Sequence, residues 1–183
     1  RKGELLCFVL NVITAKALPA VLELMQKTNF DQTPGYGEDS YCAAAADKIR
    51  ALCDAPDAAV HFFVRCDPAN LTVIDAALKP WQGVLCADSG HIHVHETGAV
   101  EATGTSAWPC PKKRQDHGTA DPPRGGRSPR NASHEHEVQP GMVYISNPTE
   151  GTLYTKAELT DISAACYELG LYLFVDGARM AYG

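Results

Sequence analysis

The chain has 183 residues, 45% of them hydrophobic, and a formal net charge of −6. That length suits about one domain with a core of useful size. The acidic balance argues against nucleic acid as a partner, and no apolar run approaches the roughly 18 residues of a membrane span.

Seven cysteines without a CxxC pair fit reduced thiols, and hence a cytoplasmic protein. The sequence opens on Arg1 and shows no basic-apolar-small signal pattern. The first predicted element is a helix over Pro19–Thr28, from the spacing of Val21, Leu22, Leu24 and Met25. A loop follows at Thr33–Gly37, then an Ala-rich helix from Ser40 to Leu52 with Asp39 or Ser40 as its N-cap. Ala59–Val64 reads as a strand, Asn70–Leu78 as a helix and Gly83–Ala87 as a second strand. Thr103–Ser133 is Pro- and Arg-rich, with no periodicity. Met142–Ser146 reads as a strand. Thr155 and Glu158 then form a capping box for a helix to about Leu169, closed by Gly170. The last strand is Leu171–Val175. Strands alternating with helices of ten or more residues predict an α/β fold with a mostly parallel sheet, and Met142–Val175 is its cleanest βαβ unit.

Four constellations have the residue types for chemistry. In Gly90-His91-Ile92-His93-Val94-His95-Glu96 a strand would put His91, His93 and His95 on one face, which suits zinc. Alternatively, one His is functional and the others lie at a helix start or in solvent. Gly35-Tyr36-Gly37-Glu38-Asp39 is either a ligand loop or a turn before a helix. Asn147–Thr152 follows a strand, where ligand contacts concentrate, but also fits a plain crossover turn. Asp176, at the end of an apolar strand, requires a cationic partner. Either the protonated ring nitrogen of a pyridine cofactor or Arg179 would serve.

Taken together, Gly35-Tyr36-Gly37-x-Asp39, Gly90-His91-x-x-x-His95-Glu96-x-Gly98-Ala99, Thr149-Glu150-Gly151-Thr152-x-Tyr154 and Asp176-Gly177-Ala178-Arg179 resemble the low-specificity L-threonine aldolases, in order and in spacing. These belong to the β-eliminating lyase group of pyridoxal-phosphate enzymes. The resemblance implies the three-layer αβα large domain of fold type I, with pyridoxal 5′-phosphate as cofactor and no metal. It also implies an amino-acid substrate and a homo-oligomer, dimer or tetramer. His91 would stack on the pyridine ring and assist proton transfer. Asp176 would pair with the ring nitrogen, and Asn70 would belong to the cofactor-binding set. Arg179 would hold the substrate carboxylate, and Thr149 and Glu150 would lie beside the substrate hydroxyl, with Glu150 in a catalytic role. The implied reaction is retro-aldol cleavage of a β-hydroxy-α-amino acid such as L-threonine to glycine and an aldehyde.

The family's Schiff-base lysine lies on a strand after the Asp-Gly-Ala-Arg segment, whereas the sequence as given ends at Gly183. The expectation is therefore a partial large domain, inactive by itself. Three segments depart from the family pattern: Ile13–Ala17, Arg65–Pro68 and the irregular Thr103–Ser133. One-nucleotide shifts in the coding sequence would restore family-like residues in all three. The competing readings are a zinc enzyme built on His91, His93 and His95, and a non-catalytic relic.

Overall fold

The computed structural model describes residues 18–63, 66–110, 138–147 and 153–178, with residues 66 and 67 described by backbone alone. The chain divides into two compact units, one holding residues 18–63 and the other the described residues from 66 onward.

The first unit contains two helices, α1 (Pro19–Thr28) and α2 (Ser40–Leu52). Helix α1 begins with Pro at its first turn, where the missing N–H costs nothing. Asp39 caps α2 by accepting the Cys42 N–H at 2.8 Å, which makes it the N-cap in place of Ser40. The strand expected over Ala59–Val64 does not form in its described part: residues 59–63 have no ladder partner, and Phe62 and Phe63 are exposed. A β-branched and aromatic run becomes a strand only where another strand completes its hydrogen bonds.

The second unit is a four-stranded parallel sheet with helices on both faces. Its elements in chain order are α3 (Cys66–Ala77), β1 (Gln82–Ala87), α4 (His91–Val94), β2 (Ser106–Cys110), β3 (Gln139–Ser146), α5 (Lys156–Leu169) and β4 (Tyr172–Asp176). The strand order is β2-β1-β3-β4, and every pairing is parallel.

In-register neighbours in parallel strands point to the same face, so the sheet sorts its side chains into two cores. Val84, Cys86, Met142, Tyr144 and Phe174 pack with Ala69, Ile74 and Leu78 of the α3 segment and Ile92 of α4. On the opposite face Ile145, Leu173 and Val175 pack against Ile162 and Cys166 of α5. This is the three-layer αβα arrangement, and the strands are apolar on both faces because both are covered.

Helix α5 starts where the capping box predicts. The Thr155 hydroxyl accepts the Glu158 N–H, and the Glu158 carboxylate accepts the Thr155 N–H at 2.8 Å. It ends at Gly170, which takes the left-handed conformation (φ 67°) that favours glycine. Strand β2 corrects the expectation that residues 103–133 are irregular throughout. Trp108 lies over Gly83, where a Cβ would come within 2.9 Å of the indole ring, and Pro109 is tolerated because β2 lies at the sheet edge. Residues 111–133 of that expectation lie outside the described residues, as do Ile13–Ala17 and Arg65.

Candidate functional site

The strand order supplies a site before any side chain is considered. From β1 the chain goes to β2 on one side, and β3 then lies on the other side of β1. In open parallel sheets the crevice outside the carboxyl ends of the strands, at such a reversal, is where ligands bind. His91 follows β1, Asn147 follows β3, and Asp176 closes β4, all on the carboxyl edge.

Gly90 makes the turn from β1 into α4. A Cβ there would sit 3.0 Å from the Ala87 carbonyl oxygen and 3.3 Å from the Cys86 Cβ, so the close approach requires glycine. The turn that follows is helical, which favours the helix-start alternative over the strand that would have put the three histidines on one face. Ile92 anchors it in the core, while His91 and His95 are one helical turn apart, with ring centroids at 5.1 Å. His93, two residues along a helix, leaves that face. The zinc reading therefore loses its geometry. Among the described residues, no three His, Cys, Asp or Glu side chains are close enough to hold a metal ion.

His91 donates from Nδ1 to Glu96 Oε1 at 2.8 Å, and Asn70 Nδ2 donates to the same oxygen at 2.7 Å. The Glu96 side chain is fully buried, whereas that of His91 is 42% exposed, so one imidazole edge is anchored and the ring is left open to a ligand. Immediately after Glu96, Thr97 takes φ 47°, a left-handed conformation strained for a β-branched residue. Asn70 Oδ1, Ser89 Oγ and Glu96 Oε2 are buried and, among the described residues, lack a hydrogen-bond partner.

On β4, Asp176 is buried, with Oδ2 accepting the Tyr144 hydroxyl at 2.5 Å and Oδ1 accepting the Ala178 N–H at 3.1 Å. Tyr144 comes from the adjacent strand β3. Its ring meets Phe174 edge-on, with centroids 5.2 Å apart and an interplanar angle of 89°, a contact worth about 0.5–1.5 kcal/mol beyond burial. Burial foremost, and then the Asp176 charge, push the Tyr144 phenol far above its usual range, so it keeps its proton and donates it to Asp176, while accepting the Ser146 hydroxyl at 3.4 Å. Glu96 adds to that shift, which links the α4 and β4 sides of the site electrostatically.

Asn147, buried after β3, donates its N–H to the Asp176 carbonyl at 2.8 Å and accepts the Tyr154 N–H at Oδ1 (3.2 Å). Thr149 and Glu150, which the sequence places between them, lie outside the described residues, as does Arg179 and with it the possible Asp176–Arg179 ion pair. Of the site residues expected from sequence, the structure therefore describes His91, Asn70 and Asp176, with His91 and Asn70 joined through Glu96. Tyr144 was missed. It sits in an apolar run that reads as core, and its signal is that a buried phenol requires a partner.

A partly exposed imidazole and a buried carboxylate with acceptor capacity left, both at the carboxyl edge of one sheet, are groups that suit a planar, cationic aromatic ring. The comparison with family models gives a match to the beta-eliminating lyases over residues 14–182. The chain belongs to the beta-eliminating lyase family. Within it, the chain is 31% identical over 166 residues to a low specificity L-threonine aldolase from Pseudomonas sp. strain NCIMB 10558, covering 89% of this chain and 47% of that protein. A threonine aldolase structure from Leishmania major matches at 44% identity and a TM-score of 0.81, over 95% of this chain and 50% of that one. An aminotransferase structure from Mycobacterium tuberculosis, at 17% identity and a TM-score of 0.52 over 86% of this chain and 40% of that one, shares the fold alone. The fold is thus the fold type I large-domain arrangement, and the chain spans about half the length of the curated relatives it matches.

Proposed function

We propose that residues 1–183 supply part of the cofactor-binding large domain of a pyridoxal-phosphate-dependent aldolase. The reaction is cleavage of a β-hydroxy-α-amino acid such as L-threonine to glycine and an aldehyde. The observation that carries this reading is the buried Asp176 carboxylate on the carboxyl edge of the sheet, held by Tyr144 and the Ala178 N–H and facing a site with no described cation. The identity to proteins named as threonine aldolases supports the substrate class.

Pyridoxal phosphate, when bound, supplies the ring that takes up the electron pair released as Cα–Cβ breaks. In this reading Asp176 keeps a proton on the ring nitrogen. His91 stacks on the ring and assists proton transfer, and Asn70 serves the cofactor side through Glu96. Arg179 binds the substrate carboxylate, Thr149 orients the substrate hydroxyl, and Glu150 accepts its proton. The protein is a homo-oligomer, dimer or tetramer, consistent with the exposed Val21, Leu22, Leu24 and Met25 of α1. A cytoplasmic location is part of this reading, supported by the free thiols of the described cysteines.

Titration with pyridoxal phosphate, followed by circular dichroism in the cofactor's absorption band, tests the first half. Saturable ellipticity is expected, weakened about tenfold or more in Asp176→Asn; equal affinity in the variant would overturn the assignment. On a holoprotein that also carries the lysine the family places after the Asp-Gly-Ala-Arg segment, L-threonine is expected to yield glycine and acetaldehyde, while residues 1–183 alone are expected to yield neither. Formation of 2-oxobutanoate and ammonia instead would make the protein an eliminating lyase.

A further inference from the structure

We infer that Glu96 is the positioning residue for His91: by accepting the Nδ1 proton it fixes the imidazole in the Nδ1–H tautomer and leaves Nε2 as the bare, proton-accepting nitrogen. The geometry is specific. A carboxylate only accepts hydrogen bonds, so the 2.8 Å contact from His91 Nδ1 requires the proton on that nitrogen when the ring is neutral. The nitrogen that faces a ligand is then the one without hydrogen. This tautomer is the less favoured one for a free histidine side chain, so the protein has to impose it.

The second half of the device is Asn70. Its Nδ2 donates to the same Oε1 at 2.7 Å, a second contact that holds the carboxylate rotamer. Nδ2 spends one of its two hydrogens on Glu96, and Oδ1 is an acceptor with no partner among the described residues. Through that bond Asn70 acts on His91 by way of Glu96. Complete burial of the Glu96 side chain keeps water from competing for Oε1, so the three side chains form one ordered unit spanning α3, α4 and the turn after it. A carboxylate that orients a histidine through Nδ1–H, leaving Nε2 to move the proton, is a recurring arrangement in acid–base catalysis.

The functional consequence rests on the assignment of His91 to the cofactor face, but the tautomer does not. It is measured without cofactor, so the two ideas fail separately. Two-bond proton–nitrogen correlation spectra of the nitrogen-15-labelled chain at about pH 8.5, above the ordinary histidine range, report which ring nitrogen is protonated. The His91 signals are assigned by their loss in His91→Gln. The expected result is a protonated Nδ1 and a bare Nε2, retained in Glu96→Gln, whose amide oxygen still accepts, and exchanged towards Nε2–H in Glu96→Ala. A bare Nδ1 in the unsubstituted chain would overturn the inference, as would an unchanged pattern in Glu96→Ala. The unsubstituted chain and Glu96→Gln decide the question even if Glu96→Ala does not fold.

Discussion

Tyr144 contributes one hydroxyl to Asp176, and its energetics follow from where that hydroxyl lies. Hydrogen bonds to charged groups contribute roughly 1.5–3 kcal/mol, and the phenol has no water to fall back on. Tyr144→Phe is expected to lower stability by about that amount in urea unfolding and to weaken pyridoxal phosphate binding less than Asp176→Asn does. The same residue has a pH signature. Burial, and then the Asp176 charge, raise the Tyr144 pKa above its ordinary value of 10.0. The folded state therefore keeps a proton that the unfolded chain releases, so stability is fully present below about pH 10 and falls as pH rises beyond it. The unsubstituted chain should lose stability above that pH faster than Tyr144→Phe; parallel profiles would contradict the buried contact. By contrast the Cys86 thiol, pushed up to about 12 mainly by burial, is a neutral core residue at physiological pH and takes no part in chemistry.

At the scale of elements, what the sequence made legible was whatever local chemistry decides. The capping box at Thr155, the Asp39 cap and the Gly170 stop each satisfy backbone groups within a few residues, and all three stand as read. Thr155→Ala is expected to cost about 1 kcal/mol. The pH dependence of this cap has the opposite sign to that of Tyr144. Hydrogen bonds from the Thr155 backbone and side chain lower the Glu158 pKa, so its contribution is present above the ordinary glutamate range and lost as pH falls through the lowered folded value. Thermal unfolding of both chains from pH 7 to pH 3 checks this, because the difference between them should shrink on acidification. Features that depend on distant partners were harder to read. The His91-to-His95 alternation looks like a strand, but the tight turn at Gly90 and the burial of Ile92 make it helical, which separates His93 from its neighbours. Residues 59–63 have strand-forming side chains and, among the described residues, no strand that pairs with them. Trp108 fits on the edge strand because Gly83, diagonally across on β1, leaves room for its ring.

For the whole molecule, the αβα layering was legible because β1, β3 and β4 read as apolar runs and α3 and α5 are long enough to cover the sheet. The topology then does what composition cannot. It brings residues 85 positions apart in sequence, His91 and Asp176, to one edge of a single sheet, beside the loop that follows β3. Family membership and the fold agree with that placement. The central claim is that this edge receives a pyridine ring whose nitrogen is held protonated by Asp176. The most direct measurement is the nitrogen-15 resonance of ring-labelled pyridoxal phosphate bound to the protein. The account predicts a protonated pyridine nitrogen at neutral pH in the unsubstituted chain and a deprotonated one in Asp176→Ala. An unprotonated nitrogen in the unsubstituted complex, or the same resonance in both, would contradict it.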